Sequence, residues 1–557
     1  FPMQGIDQIR GIISADISAK TRLSFIENQE YDRVNMNGQL ALKDLIYRTP
    51  DMPAVNIRDA QMDFTPRNVQ LNRFDAKLGK SDIQASGAID NILAYFSPKK
   101  TMTGTLKVRS NYFDANEWLT EETPAPAGAT PQQPVTPVAG ETTAAGERPF
   151  DRFDFTMDAK MNEIVYGDYR VLNAVLKGNA KPNRLQVQTI GAQVGKSDIV
   201  ASGVITDAFD YLFDDGTLGG DIQLRSKLLD LNQFMTTDAT AAAATTGSTT
   251  PPATTENLEP IRVPANIAMN IQADVDRLLY TNMVLEDLKG RLVIENEAVV
   301  LEDATTRTLG GTMAVAGGYD SKNIENPAFN FKFDLQKMDF QKSFATFNTF
   351  QKLAPIGKFI EGLFNTSLIM EGRLGKDMMP DLSSLTMQGF LQTLDGVIKG
   401  FKPLQAIGNS LNVKELKDNL KLTNSKNWFE VKNGAVELKE FDYAVQGIAM
   451  KIGGTHSLTQ SMDYKIKAKV PRKLLEQNAV GAAASSGLNA LQKEAAKYGV
   501  NLKQSEFVNV LVNLTGSITD PKVKLQLLGA DGEATLGETA GGQVKAELDK
   551  QKEELRQ

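Results

Sequence analysis

The chain has 557 residues, 41% hydrophobic and 23% charged, which is typical of a folded protein with material for about three or four domains. A formal net charge of −7 without a basic stripe argues against a nucleic-acid-binding protein. The absence of cysteine excludes disulfides, thiolate metal sites and cysteine nucleophiles, and we expect no metal ion or cofactor. The sequence contains no run of about 18 apolar residues, so no transmembrane helix is predicted. Because the first residue is Phe1, we expect a processed or trimmed chain.

A repeated segment organises the first half of the chain. The sequence GKSDIQASGAID at Gly79–Asp90 returns as GKSDIVASGVIT at Gly195–Thr206, with nine of twelve positions identical. Further identities at the same offset of 116 residues extend the match over residues 66–120 and 182–236 without a gap. So long an ungapped match predicts a structural repeat.

Two weaker copies follow at Thr306–Phe344 and Glu440–Leu475. Each copy predicts a glycine-bearing strand, a turn, a second alternating strand and one helical turn. The alternation is clearest at Phe329–Leu335 and Tyr464–Val470, and it returns at 508–514 and 523–527. Because successive strand side chains point to opposite faces, the pattern predicts strands with one apolar and one polar face. Such strands favour an antiparallel sheet over a parallel sheet buried on both sides.

Few helices are predicted, and they lie toward the C-terminal half. The candidates are Phe344–Phe364, broken at Pro355, then Pro403–Leu420 and the alanine-rich Pro471–Gly499. The charged tail Gly542–Gln557 predicts a frayed helix or disorder. These few helices cannot cover a long sheet. The apolar face must therefore pack against a second sheet, fold over on itself or bind a ligand.

Signals of catalysis are weak. His456 in GGTHSLT is predicted to lie in a turn, without a second histidine or a carboxylate cluster beside it. The adjacent acids Asp214 and Asp215 fall in a predicted turn, where solvated carboxylates are more common than a glycosidase pair. Trp118 aligns with Phe234 in the repeat, which favours packing over sugar stacking. We therefore predict that the protein is not an enzyme and has no catalytic residue.

The C-terminal region resembles a known family. MQGFLQTLDGVIKG, with Gly389, Asp395, Gly396 and Gly400, resembles a strand pair of AsmA-like proteins, and FVNVLVNLTGSITDPKVKLQL is similar to their closing hairpin. The resemblance extends over about residues 386–527, and its motifs are structural rather than catalytic. Upstream it depends on the repeat pattern alone.

The resemblance, which extends to TamB- and YhdP-type relatives, implies an elongated, mainly β fold. In it, a repeated antiparallel sheet curls into a U-shaped groove, a β-taco, with a few short helices toward the C-terminal half. It also implies a periplasmic protein of the diderm envelope, held at the inner membrane by an N-terminal anchor before Phe1. The implied partners are phospholipid or another acyl lipid, the inner membrane and outer-membrane assembly proteins, with no nucleic acid.

The predicted domains follow from the repeat, the resemblance and the composition. They are β-groove repeats at 1–120, 150–235 and 261–345, disordered Pro/Thr/Ala-rich linkers at 121–149 and 236–260, an AsmA-like region at 346–530 and a charged tail at 531–557.

The leading hypothesis is a lipid-binding and lipid-transporting β-groove that contributes to outer-membrane biogenesis and lipid homeostasis. Its mechanism is shielding, because each buried methylene contributes about 0.8 kcal/mol. The side chains predicted to face into the groove are Ile222, Leu224, Phe329, Phe331, Phe333, Tyr464, Ile466, Val470, Val508, Val510 and Val512. For each of them, ordinary sheet core is the competing interpretation.

Two alternatives stay open. One is a scaffold without lipid that assists outer-membrane protein assembly through exposed strand edges. The other is a glycan-acting β-repeat enzyme, for which the sequence offers no convincing acid/base pair.

Overall fold

The fold is mainly β. The computed structural model describes residues 8–27, 33–49, 52–91, 101–118, 152–213, 216–234, 260–376, 379–411, 413–471, 474, 493–498, 506–529, 532–535 and 538. Within these ranges, 25 strands form one long mixed sheet that is not closed into a barrel, with few helices. The predicted linker 121–149 and the predicted tail helix Gly542–Gln557 lie outside the described residues, as does all but the last residue of the linker 236–260.

The strands are β1 (Gln8–Lys20), β2 (Asn35–Thr49), β3 (Met52–Phe64), β4 (Val69–Leu78), β5 (Ser81–Ile89), β6 (Met102–Asp114), β7 (Phe153–Tyr166), β8 (Tyr169–Lys181), β9 (Arg184–Val194), β10 (Ser197–Thr206), β11 (Leu218–Ser226), β12 (Leu229–Asp230), β13 (Ile267–Tyr280), β14 (Met283–Glu295), β15 (Ala298–Thr308), β16 (Gly311–Asp320), β17 (Ala328–Asp339), β18 (Ile360–Arg373), β19 (Thr386–Lys399), β20 (Asn419–Lys432), β21 (Ala435–Val445), β22 (Ile448–Ser457), β23 (Ser461–Pro471), β24 (Phe507–Ser517) and β25 (Pro521–Leu527).

The helices are α1 (Leu23–Glu27), α2 (Ala208–Phe213), α3 (Phe340–Thr346), α4 (Asn348–Leu353), α5 (Lys402–Leu411) and α6 (Lys414–Lys417), with 3-10 turns at Ala115–Trp118, Leu231–Phe234 and Pro355–Phe359. The first two 3-10 turns confirm the helical turn predicted at the end of the first and second repeat copies. Two helices, α1 and α2, lie in the N-terminal half, where none was predicted.

Two of the helix predictions were too long at their C-terminal ends. The predicted helix Phe344–Phe364 is helical only as far as Phe359, and Ile360–Phe364 belongs to strand β18. The predicted helix Pro403–Leu420 divides into α5 and α6, and Leu420 lies in β20. The predicted helix Pro471–Gly499 falls mostly outside the described residues.

The chain divides into two compact units. The N-terminal unit contains residues 1–281 and 286–299, and the C-terminal unit contains residues 282–285 and 300–557. In the C-terminal unit, β16 to β25 pair in chain order, and each pairing is antiparallel. This part of the sheet is the antiparallel meander that the alternation predicts.

The N-terminal unit departs from a purely antiparallel sheet at two places. Strands β1 to β6 and β7 to β11 form antiparallel meanders, but β6 pairs with β7 in parallel, and β11 and β12 pair with β13 in parallel. The prediction of an antiparallel sheet throughout was therefore wrong. Each parallel pair joins the end of one repeat copy to the start of the next, across a connection long enough for a crossover.

The repeated GKSDI segment builds the first of these junctions. Ser81 Oγ accepts a hydrogen bond from the Asp114 N–H at 2.9 Å. The Asp82 carboxylate accepts the N–H groups of Asn111 at 3.0 Å and Tyr112 at 2.8 Å. These bonds hold the end of β6 against the start of β5, which is where the chain leaves the first copy.

The second copy repeats these bonds at the same offset. Ser197 Oγ accepts from the Asp230 N–H at 2.9 Å, and the Asp198 carboxylate accepts the N–H groups of Lys227 and Leu228 at 3.0 and 2.8 Å. Burial acts to raise the pKa of Asp198, but the backbone N–H donors outweigh it and hold this pKa below its ordinary value.

An asparagine then fastens each copy to the following one. Asn116 Oδ1 accepts from the Gly167 N–H at 2.6 Å, and its Nδ2 donates to the Gly167 carbonyl at 3.1 Å. Asn232 makes the same pair of bonds to Thr281, at 2.6 and 3.2 Å. Gly167 and Thr281 occupy the first turn of the next module, so each asparagine fixes the position of an incoming hairpin.

The glycine that opens the segment is favoured at the same junction. Gly79 and Gly195 have φ values of +57° and +54°, a conformation that costs glycine little. A Cβ at Gly79 would lie 2.6 Å from the Glu117 carboxylate, and a Cβ at Gly195 would lie 2.4 Å from Gln233 Oε1. The repeated sequence therefore encodes a polar junction between modules as well as a length of sheet.

The third copy lacks this junction. At the positions of the Ser–Asp pair it has Gly311 and Thr312, and the strand that follows it, β18, pairs with β17 in antiparallel. Loss of the Ser–Asp pair coincides with loss of the parallel joint.

We predict that Asn232→Ala destabilises the N-terminal unit by about 1–3 kcal/mol, because it leaves the Thr281 backbone without both bonds. Chemical denaturation followed by circular dichroism measures the change. Asn37→Ala is the matched control, since the exposed Asn37 amide bonds only locally, to Asn35. Equal denaturation midpoints for the two variants would contradict the role of the junction.

Candidate functional site

One face of the N-terminal unit carries three unbroken apolar rows. The pairings of β1 to β11 and β13 place residues directly opposite one another across twelve strands. In each row, every position is glycine, alanine or a larger apolar residue. We call this surface the apolar face.

The first row consists of Ile17, Gly38, Phe64, Val69, Ile89, Gly104, Phe155, Ala180, Leu185, Ile205, Gly220 and Met269. The second row consists of Ala15, Leu40, Met62, Leu71, Gly87, Leu106, Met157, Gly178, Val187, Gly203, Ile222 and Ile271. The third row consists of Ile13, Leu42, Ala60, Phe74, Ala85, Val108, Ala159, Leu176, Ile190, Ala201, Leu224 and Ala273.

The described helices of this unit are too short to cover the apolar face. At about 4.8 Å between strands, twelve strands extend the rows over about 50 Å. Helices α1 and α2 have five and six residues, so each is less than about 10 Å long. Most large side chains of the rows are half-buried, and on β1 the side chains of Ile13 and Ile17 are 60% and 48% exposed.

The opposite face of the same strands is polar. It carries ion pairs across neighbouring strands, including Arg109 with Asp158 at 2.9 Å and Lys181 with Asp154 at 3.3 Å. Hydrogen bonds from Asn179 and Lys181 hold the pKa of Asp154 below its ordinary value, although burial opposes them. Along the three rows the charges lie on this face, which leaves the other for apolar contacts.

The C-terminal unit covers its apolar side with its own helix. Helix α5 packs on β24 and β25, and its Ile407 and Leu411 are buried in a large core cluster. Five of the predicted groove residues lie in this cluster and are at most 3% exposed: Ile466, Val470, Val508, Val510 and Val512. In this structure these five side chains contact the chain's own core.

The other predicted site residues of this unit are less enclosed. Phe329 is buried in a second cluster with Leu353 and Leu385, and Phe331 packs against it with ring centroids 6.2 Å apart. Phe333 follows along the same face, 5.9 Å from Phe331, and is half-buried. Ile222 and Leu224 belong to the apolar face of the N-terminal unit and are also half-buried. Within the C-terminal unit, the structure therefore does not place the predicted residues together on one open surface.

Tyr464 and His456 form a closed pair. His456 lies in strand β22, so the prediction of a turn was wrong. Its Nδ1 is 2.8 Å from Tyr464 Oη, and its Nε2 is 2.7 Å from the Leu353 carbonyl. Burial lowers the pKa of His456 and raises the pKa of Tyr464 to about 12. Because both ring nitrogens have partners, the pair fastens α4 to the sheet and offers no free base.

The described residues contain no cluster of three or more side chains suited to a metal ion. No helix among them is long and apolar enough to cross a membrane. The acids Asp214 and Asp215 lie outside the described residues. Trp118 ends a 3-10 turn, as Phe234 does in the second copy, and Phe234 packs 5.9 Å from the Tyr169 ring.

Most of the apolar face was missed by sequence reasoning, which named only Ile222 and Leu224 from it. Alternation in NMNGQLALKD of β2 and in FDFTMDAKM of β7 was a usable signal. The rows depend on the pairing register between neighbouring strands, which shifts at bulges such as the one between Leu172 and Val175. That register cannot be predicted from a single sequence.

No protein-family model, curated protein or solved structure matches the chain. The resemblance to AsmA-like proteins therefore stays a prediction.

Proposed function

We propose that the protein binds acyl lipids on the apolar face and carries them between membranes of the diderm envelope. In this proposal the sheet of the N-terminal unit curls into a U-shaped groove, the β-taco, with the apolar face inside. The observation that carries the proposal is the continuity of three apolar rows over twelve strands without a described helix able to cover them.

The dimensions of the apolar face suit acyl chains. Rows two residues apart on a strand are separated by about 6.7 Å, so three rows span about 13 Å between the outer ones. The hydrocarbon depth of one bilayer leaflet is about 15 Å, and the rows extend over about 50 Å. The face is therefore long enough for more than one lipid, end to end.

The composition of the rows suits movement along them. A lipid tail that shifts by one strand exchanges one set of apolar contacts for a similar set, since no row contains a polar side chain. Each methylene withdrawn from water contributes about 0.8 kcal/mol wherever along the rows it lies. Glycines such as Gly87, Gly178 and Gly203 keep the surface low between larger side chains.

Location and attachment belong to the same proposal. The AsmA-like motifs around Gly389, Asp395 and Gly396 support a periplasmic protein anchored at the inner membrane. The proposal includes a part in outer-membrane biogenesis and no catalytic step.

A vesicle-to-vesicle transfer assay tests the function. Donor vesicles contain a fluorescent phospholipid with a quencher, and acceptor vesicles contain neither. We expect fluorescence to recover at a rate proportional to protein concentration. Recovery no faster than in buffer, with folded protein confirmed by circular dichroism, would contradict lipid carriage.

The alternative is a scaffold for outer-membrane assembly proteins. It is favoured by strand β1, whose Ile9, Ile12, Ile13 and Ile17 are 48–60% exposed and whose pairing among the described strands is to β2 alone. Such an edge can accept another strand. Capture of β-barrel proteins from envelope extracts, together with no lipid transfer, would favour this alternative.

A further inference from the structure

The outward face of β22 to β25 is basic. Its charged side chains are six lysines, Lys451, Lys465, Lys467, Lys469, Lys522 and Lys524, and one acid, Asp463. Five of the lysines are exposed, and Lys467 retains 27% of its side-chain surface. We call this surface the lysine face.

The lysines are neighbours both along strand β23 and across the adjacent strands. Lys451 lies opposite Lys467 across the β22–β23 pairing, and Asn513 of β24 lies between Lys465 and Lys524. The alternating residues of these strands, such as Ile466, Val510 and Val512, point the other way into the core, so the lysines cannot turn inward. An array of like charges held on one face of a sheet is suited to an anionic surface.

Two glutamates that follow β25, Glu533 and Glu538, already lie beside lysines of this face. After β25 the chain turns back, where Asn509 Nδ2 donates to the Gly529 carbonyl at 3.2 Å and Leu528 bridges to Thr535. Glu533 forms an ion pair with Lys467. Hydrogen bonds from Thr535 lower the pKa of Glu538, and the charge of Lys465 adds to this effect.

We propose that the lysine face docks the protein onto a bilayer rich in anionic phospholipids, and that Glu533 and Glu538 compete with the bilayer for this face. The lysines make the bilayer contact by charge, each contributing about 1 kcal/mol at an anionic surface. Displacement of the two glutamates frees Lys465 and Lys467 to contact the headgroups. This docking does not depend on lipid occupancy of the apolar face.

Vesicle flotation tests the docking. The probes are vesicles of phosphatidylcholine alone and of two parts phosphatidylcholine to one part phosphatidylglycerol. We expect the full chain to bind the anionic vesicles more tightly and to lose binding as salt rises. Lys465→Gln, Lys469→Gln and Lys524→Gln together should weaken it about a hundredfold, at about fivefold per lysine. Glu533→Gln with Glu538→Gln should strengthen binding.

The matched control is the triple variant Lys43→Gln, Lys107→Gln and Lys177→Gln, three exposed lysines on strands of the N-terminal unit. It removes the same charge and should bind anionic vesicles within about twofold of the unaltered chain if the effect is local. Equal binding to neutral and anionic vesicles, or equal loss in both triple variants, would overturn the proposal. Binding to heparin without binding to anionic vesicles would overturn it as well.

Discussion

The double variant Leu106→Asp and Ile222→Asp should fold and fail to hold lipid. The two residues occupy the same position in the two repeat copies, in the second row of the apolar face. Both are half-buried and face a glycine on the neighbouring strand, so a carboxylate there can reach water in the empty protein. When an acyl chain covers the position, the carboxylate cannot reach water, and a charge held in hydrocarbon costs about 3 kcal/mol.

A cost of that size at each position should lower lipid occupancy about tenfold or more, since each 1.4 kcal/mol is a factor of ten. Lipid extracted from the purified variant, quantified per chain, measures the effect. Thr105→Asp with Gln223→Asp is the matched control, because these exposed neighbours point to the polar face. Equal lipid content in the variant and the control would remove the apolar face from the mechanism.

Val510→Asp should unfold the C-terminal unit. Val510 is fully buried, between Ala468 and Leu527 on the paired strands. A carboxylate there has no water and no cationic partner, which costs about 4 kcal/mol or more. Small domains are stable by about 5–15 kcal/mol, so the loss is a large part of the total.

Thermal unfolding and limited proteolysis measure this loss. Leu511→Asp is the control, since the next side chain along β24 points to the lysine face and lies beside Lys467. We expect the control to unfold near the temperature of the unaltered chain. A Val510→Asp protein with the same midpoint would show that this position is open, as a groove residue would be.

The strand pattern could be predicted from the sequence because side-chain alternation is local. Phe329, Phe331 and Phe333 do share one face of β17, and the burial of Val508, Val510 and Val512 follows the same period. Which of these faces is covered could not be predicted. Helix α5, about a hundred residues earlier in the chain, packs on β24 and shares a core cluster with Val510, and no local period encodes that packing.

The repeat could be recognised in the sequence, but its role in joining successive modules could not be predicted. The Ser–Asp pairs at 81–82 and 197–198 were visible as letters shared by two copies. Their bonds to the backbone at Asn111 and Lys227 appear only once the strands are placed. The parallel joints accompany those bonds and require a particular chain direction after a long connection, which alternation does not specify.

The central claim is that the apolar face holds acyl lipid, and native mass spectrometry of the intact chain, purified without added lipid, tests it most directly. The account predicts a series of masses above that of the bare chain, with more than one phospholipid recovered per chain on extraction. A single bare mass from protein whose strand content is intact would contradict the account and favour the scaffold.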